Sequence, residues 1–247
     1  MSACGGPPDF AGAQLIAGDS CSMRHMTRHR TSLISALLAL CGALAAPTAA
    51  SAKITEMGQM AAGVMGSCPV NCQAVSRTTG YQAKVGPDRN LYRAPADGRI
   101  VAWTVALGNP GPKQTAFFND KLGGASQAAL VVLKPGTKLV ETVTAKAPLE
   151  TLNDYFGQIV QFPLVKTLPV KKGYYVGLTV PTWAPALQIS LGQDTSWRSS
   201  RSKDACGDTG TQSALLGKKS KAAFRCLHKT ARLTYSATFI PTPQKGG

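Results

Sequence analysis

Beyond residue 52 the chain holds one histidine, His228, so any dyad or triad that uses an imidazole base must use it. It lies in Arg225-Cys226-Leu227-His228-Lys229, where cationic neighbours tend to depress its pKa and keep it neutral, as a base should be. The adjacent cysteine argues for a loop, and no spacing sets a nucleophile against the ring. Neither a G-x-S-x-G elbow nor an H-E-x-x-H pair occurs. A bystander histidine is therefore the stronger reading, and no catalytic residue is assigned. Asp194, Asp204 and Asp208 could hold calcium, but Arg198, Arg201 and Lys203 fall among them and oppose a dication. No metal or cofactor is expected.

Cysteines are the next reactive group. Cys4, Cys21 and Cys41 lie in the first 52 residues, leaving Cys68, Cys72, Cys206 and Cys226. An even number in an exported chain reads as two disulfides. Four cysteines allow three connectivities, and proximity favours Cys68 with Cys72 and Cys206 with Cys226. A four-cysteine zinc site is the rival, weakened by the long separation between the two pairs.

The third candidate is charge. The chain carries a net charge of +15 at pH 7, and Trp197 to Arg232 is its one compositional shift, with nine Lys and Arg against Asp204 and Asp208. With Cys206 and Cys226 inside it, this segment is expected to be a long basic loop stapled at its base. The plainer reading is a solvated face. In the sharper one Arg198, Arg201, Lys218, Lys219 and Lys221 hold carboxylate, sulfate or phosphate groups, while Trp183 and Trp197 offer flat faces to sugar rings. The implied partner is an anionic polysaccharide or wall polymer. Nucleic acid is not an expected partner outside the cell, and a monomer without stable membrane insertion is expected.

These residues must be carried by strands. Asp97-Gly98 supplies a turn, and the run to Leu107 is rich in residues suited to a pleated, buried surface. Period two assigns Val101, Trp103, Val105 and Leu107 to the core, and Ile100, Ala102, Thr104 and Ala106 to the other face. Leu168 to Val180 reads as its companion, turning at Pro169 to Gly173 and placing Tyr174, Val176, Leu178 and Val180 on one face. Further strands are read at Gln73 to Gln82, before a Gly86-Pro87-Asp88 turn, and in a hairpin of Ala128 to Leu133 with Leu139 to Ala147. Gly157 to Leu164 reads as a strand whose Pro163 marks an edge or an end. Leu187 to Leu191 and Ala231 to Phe239 complete the set. Pro110 to Gly124 reads as a long loop anchored by Phe117 and Phe118, and Pro181 to Pro185 as a rigid loop holding Trp183. With no long amphipathic helix, the fold class is all-β: an antiparallel β-sandwich, jelly-roll-like or Ig-like, stapled by disulfides.

The N-terminal region reads as a leader. Basic residues from Arg24 to Arg30 precede the apolar run Leu33 to Ala46, and Ala50-Ser51-Ala52 completes a secretory signal with cleavage before Lys53. The run is shorter than the roughly 20 residues a membrane span needs. Residues 1–25 are expected to be an upstream mis-start, 26–52 the signal peptide, 53–90 a lead-in with a cysteine pair, 91–240 the sandwich and 241–247 a tail. The chain is expected to be secreted or held at the cell envelope.

The runs A-x-x-D-G-R-I-V-A-W-T-V, L-x-V-L-K-P-G, L-P-V-K-K-G-Y-Y-V-G-L-T-V and A-R-L-T-Y-S-A together resemble exported β-sandwich proteins of high-GC Gram-positive bacteria. The resemblance spans roughly Tyr92 to Ala237. It implies a secreted location and a sandwich, and it supplies no activity and no catalytic residues. The expected function is non-enzymatic binding of an anionic glycan or wall polymer. The alternatives are a structural or protein-interaction module of the envelope and a polysaccharide hydrolase working through carboxylates.

Overall fold

A computed structural model describes residues 53–243. The mis-start expected at 1–25, the signal peptide expected at 26–52 and the end of the tail lie outside the described residues. The strands are β1 (Thr55–Met57), β2 (Val75–Val85), β3 (Asp88–Arg89), β4 (Gly98–Ala106), β5 (Gln127–Lys134), β6 (Val140–Lys146), β7 (Glu150–Thr151) and β8 (Ile159–Val170). They continue with β9 (Tyr175–Ala184), β10 (Leu187–Gln188), β11 (Ser196–Ser199), β12 (Lys221–Ala223), β13 (Cys226–Lys229), β14 (Arg232–Leu233) and β15 (Tyr235–Pro241). One helix, α1 (Pro112–Leu122), joins β4 to β5. A smaller sheet runs β1-β15-β4-β8, and a larger one β12-β6-β5-β9-β2-β11-β13, with β3 on β2 and β7 on β5. Their strand pairings are antiparallel, and the protein is a disulfide-stapled antiparallel β-sandwich. Residues 53–90 supply β1 at the edge of one sheet and β2 in the middle of the other, so the expected boundary after residue 90 separates no part of the sandwich.

The principal core lies between the sheets. Trp103 and Val105 of β4, Leu130 and Val132 of β5, and Val176 and Leu178 of β9 are fully or almost fully buried there. The expected faces of β4 need one correction. Ile100 is buried in this core and Val101 is half-buried, the reverse of simple alternation. Val101 sits at a bulge: Ile100 and Ala102 pair with Phe239 and Thr238 of β15 with no partner opposite Val101. An unpaired residue shifts the period-two phase, so inward side chains lie at even positions before the bulge and odd positions after it.

The companion assigned to β4 is also corrected. β4 pairs with β8 and β15, whereas β9 stands in the opposite sheet between β5 and β2. The turn at 171–174 carries the chain from one sheet to the other. The strand itself is as expected, with Val176, Leu178 and Val180 inward. It runs on through Trp183, where a rigid loop was expected. The ladder with β2 shifts between Ser76 and Thr78, opposite Pro181 and Thr182, and a proline is tolerated at such an irregularity. The expected strand from Leu187 shortens to the two residues of β10.

Pro110 to Gly124 holds a helix where a loop was expected. Pro112 opens it, Gln114 Oε1 accepts the Gly111 N–H at 2.8 Å, and Gly123 closes it in a left-handed conformation, φ 94°. No residue of α1 is fully buried, which leaves its apolar periodicity too weak to read. Of the two phenylalanines, Phe118 anchors the helix on Trp183, ring centroids 4.8 Å apart, while Phe117 is exposed.

A second core lies on the outer face of the large sheet. After β11 the chain crosses that face, and Leu215 and Phe224 bury against Tyr81, Val131, Leu133 and Val143. The apolar run of β5 is thus covered on both sides. Several polar groups of the covered face find partners: the Leu215 N–H donates to Thr79 Oγ1 at 2.7 Å, and Thr79 and Thr179 hydroxyls meet at 2.7 Å. Cys206 pairs with Cys226 at the margin of this layer, and Cys68 with Cys72, as proximity favoured. The basic stretch is therefore folded, with β11, β12 and β13 joined to the large sheet and the chain between them laid over its outer face, and the expectation of a long stapled loop is corrected.

Candidate functional site

The seven residues expected to bind do not form one surface. Trp183 is fully buried, and its Nε1 donates to Asn119 Oδ1 and to the Gly124 carbonyl, both at 3.0 Å. Trp197 is buried with one indole face stacked on His228, centroids 4.2 Å apart. Neither ring is open to a sugar. Arg201 is 6% exposed and donates to the carbonyls of Ser76 (3.0 Å), Arg77 (3.2 Å) and Thr211 (3.3 Å). Arg198 is half-buried and donates to the Phe224 carbonyl at 3.3 Å. These guanidinium groups supply the donors that hold the outer layer to the sheet, because an exposed carbonyl crossing a strand needs a partner once buried. Arg232 is similarly buried, donating to the Gln59 carbonyl at 3.2 Å.

Lys218, Lys219 and Lys221 are exposed. The Lys219 N–H donates to the Val143 carbonyl at 2.8 Å and Lys221 pairs with Thr142, so this short ridge is fixed along β6. Of the seven, Trp197 borders a groove of about 320 Å³ beside His228, and Lys218 reaches a wider one. That groove, about 730 Å³, opens where β6 and β8 part, and Leu216 and Lys218 close its end. Lys146, Lys166 and Lys218 line it against a single carboxylate, Glu150.

Backbone register makes the opening. Ile100 of β4 pairs with Leu168 of β8, yet Ala102 pairs with Pro163. Residues 164–167 of β8 thus lie opposite Val101 alone and swing away from the ladder. Val165 at their centre is fully exposed, while Leu164 packs on the principal core. β8 is an edge strand, as Pro163 suggested, and a second proline, Pro169, closes the excursion. The two prolines flanking Leu-Val-Lys-Thr were the available signal for this site. Lys146 and Lys166 were missed because they stand in ordinary strands with no local charge run. Lys146 Nζ donates to the Ala147 carbonyl at 2.9 Å, and burial lowers its pKa.

No protein-family model, curated protein or solved structure matches this chain. The site is accordingly read from its own geometry. Among the described residues no three His, Cys, Asp or Glu side chains gather as a metal-binding group, and no helix is long and apolar enough to cross a membrane. The two disulfides point to an oxidising compartment.

His228 has a nucleophile-like neighbour after all: Ser199 Oγ lies 3.0 Å from its Nε2. Ser199 is fully buried, however, so its hydroxyl does not reach a substrate. The pair fixes β13 against β11. Burial first, and then Arg201, lowers the His228 pKa below its ordinary 6.5. A lowered folded-state pKa means the unfolded chain binds the proton more readily, so this group's contribution to stability is present above pH 6.5 and is lost as pH falls below it. Melting curves from pH 8 to pH 5 should show that loss, and His228→Gln should flatten it. An unchanged slope in the variant would assign the acid sensitivity elsewhere. Glu141 is the opposite case: it is buried, its Oε2 has no hydrogen-bond partner, and burial raises its pKa.

Proposed function

We propose that the protein is exported and binds an anionic glycan or wall polymer of the cell envelope, performing no chemistry on it. The observation that carries this reading is the groove between β6 and β8, where three lysines face one glutamate beside the exposed ridge of Lys218, Lys219 and Lys221. Lysines on hydrogen-bonded strands and turns present point charges to sulfate, phosphate or carboxylate groups spaced along a chain. The signal-like leader and the disulfides support export.

Binding of this kind is steeply salt-sensitive, since the Debye length falls from about 10 Å at 0.1 M salt to about 3 Å at 1 M. Replacing Lys218, Lys219 and Lys221 together with serine should bring elution from a dextran sulfate column to markedly lower salt. The melting temperature should stay within about 2 °C, because exposed charges contribute little to the fold. Unchanged elution in a folded triple variant would remove the ridge from the binding surface and defeat this reading.

A further inference from the structure

We propose that the groove between β6 and β8 takes the alkyl chain of a single-chain anionic amphiphile of the fatty-acid type, with the anionic head among Lys146, Lys166 and Lys218. The inference rests on the reading of this groove as an anion site and names what else the ligand carries.

Two features of the groove argue for a chain. First, its floor is continuous with the principal core: Leu168 and Ala147 belong to that core, and Leu164 and Ala145 pack against it, yet all four also line the groove. An alkyl chain laid there extends an existing apolar layer, the arrangement by which a sandwich can lengthen its core without new structure. Second, the excursion of residues 164–167 raises Val165 out of the ladder to full exposure beside that floor. A valine held wholly in water on a strand excursion stabilises nothing in the isolated protein, and a chain in the groove would cover it.

Charge decides the head group. Lys146 Nζ has a carbonyl partner and no ion pair among the described residues, in a setting where burial disfavours its cation. A carboxylate placed beside it supplies the missing counter-charge, with Lys166 and Lys218 screening the same head from the solvent side. A neutral amphiphile would leave that cation uncompensated.

The test titrates the full chain with octanoate, decanoate and dodecanoate below micelle-forming concentrations, alongside dodecyl maltoside and phosphatidylglycerol vesicles. Affinity should rise about fourfold for each added CH₂ that enters the groove, and dodecyl maltoside should bind at least tenfold more weakly than dodecanoate. Val165→Asp, at a position too exposed to disturb folding, should abolish the chain-length dependence with an unchanged melting temperature. Lys166→Ser with Lys218→Ser should weaken all three carboxylates by a similar factor. The proposal is overturned if Val165→Asp keeps the wild-type chain-length slope, if the maltoside binds as well as dodecanoate, or if only vesicles bind, which would assign the groove to a bilayer surface. Retention of Val165→Asp on dextran sulfate separates the two readings. Normal retention without fatty-acid binding in the wild type defeats the amphiphile alone, and, because Lys218 belongs to both sites, unchanged retention in a Lys219→Ser, Lys221→Ser variant that still binds dodecanoate defeats the polyanion ridge alone.

Discussion

Replacing Trp183 with alanine should destabilise the protein by about 3–5 kcal/mol, the range for removing a buried tryptophan. At this chain length that lowers the melting temperature by about 6–20 °C. The size of the effect follows from where the ring sits. It is fully buried, it packs against Phe118 and Phe156 with centroids 4.8 and 5.5 Å away, and its N–H ties Asn119 of α1 and the Gly124 carbonyl to β9. Alanine leaves a cavity and an unpinned helix at once. Thermal unfolding measures the loss, and Trp183→Phe should recover most of the packing without the two hydrogen bonds. Retention on dextran sulfate, measured below the variant's melting range, should match the wild type. A variant that melts normally but no longer binds would return Trp183 to the ligand surface.

The second large effect belongs to the disulfide between Cys206 and Cys226, which are separated by 20 residues. Serine at both positions should cost about 3 kcal/mol through the entropy restored to the unfolded chain. The damage should be local in the folded state, since that loop carries Leu215 and Phe224 over the outer face of the large sheet. Amide exchange should therefore quicken across residues 200–225 and on the covered strands β5 and β6, with β4 and β15 still protected. Serine at Cys68 and Cys72 should cost less, about 2 kcal/mol, because the closed loop is short. Uniform exchange across both sheets in the first variant would show that the outer layer is no separable unit.

Both variants bear on how the candidate site was legible. The charge of Lys218, Lys219 and Lys221 was visible as a run, and these three remain on the surface. Arg198 and Arg201 belong to the same run and do not. What distinguishes them is the supply of carbonyl acceptors, Phe224 for Arg198 and, from chain more than a hundred residues away, Ser76 and Arg77 for Arg201. A basic stretch on paper holds no record of which cations will meet such acceptors. Trp183 and Trp197 illustrate the same limit, for a ring in a strand next to prolines or charges reads equally as platform or as core.

Local patterns determined much of the fold. Turn residues at Gly86-Pro87, the β5–β6 hairpin, the inward faces of β9 and β15, and the pairing of near cysteines all follow from backbone preferences and short loop closure, which act over a few residues. Tertiary structure alone decided which sheet β9 joins, where the bulge at Val101 resets the inward phase, and that the basic segment lies down as a second layer. It also made the groove, which lies between β6 and β8 of separate sheets, beside the stretch where four residues of β8 face one of β4. Alternation along a strand is set by each residue and its neighbours, whereas covering a face requires a partner from distant chain, and no local propensity specifies where that partner arrives.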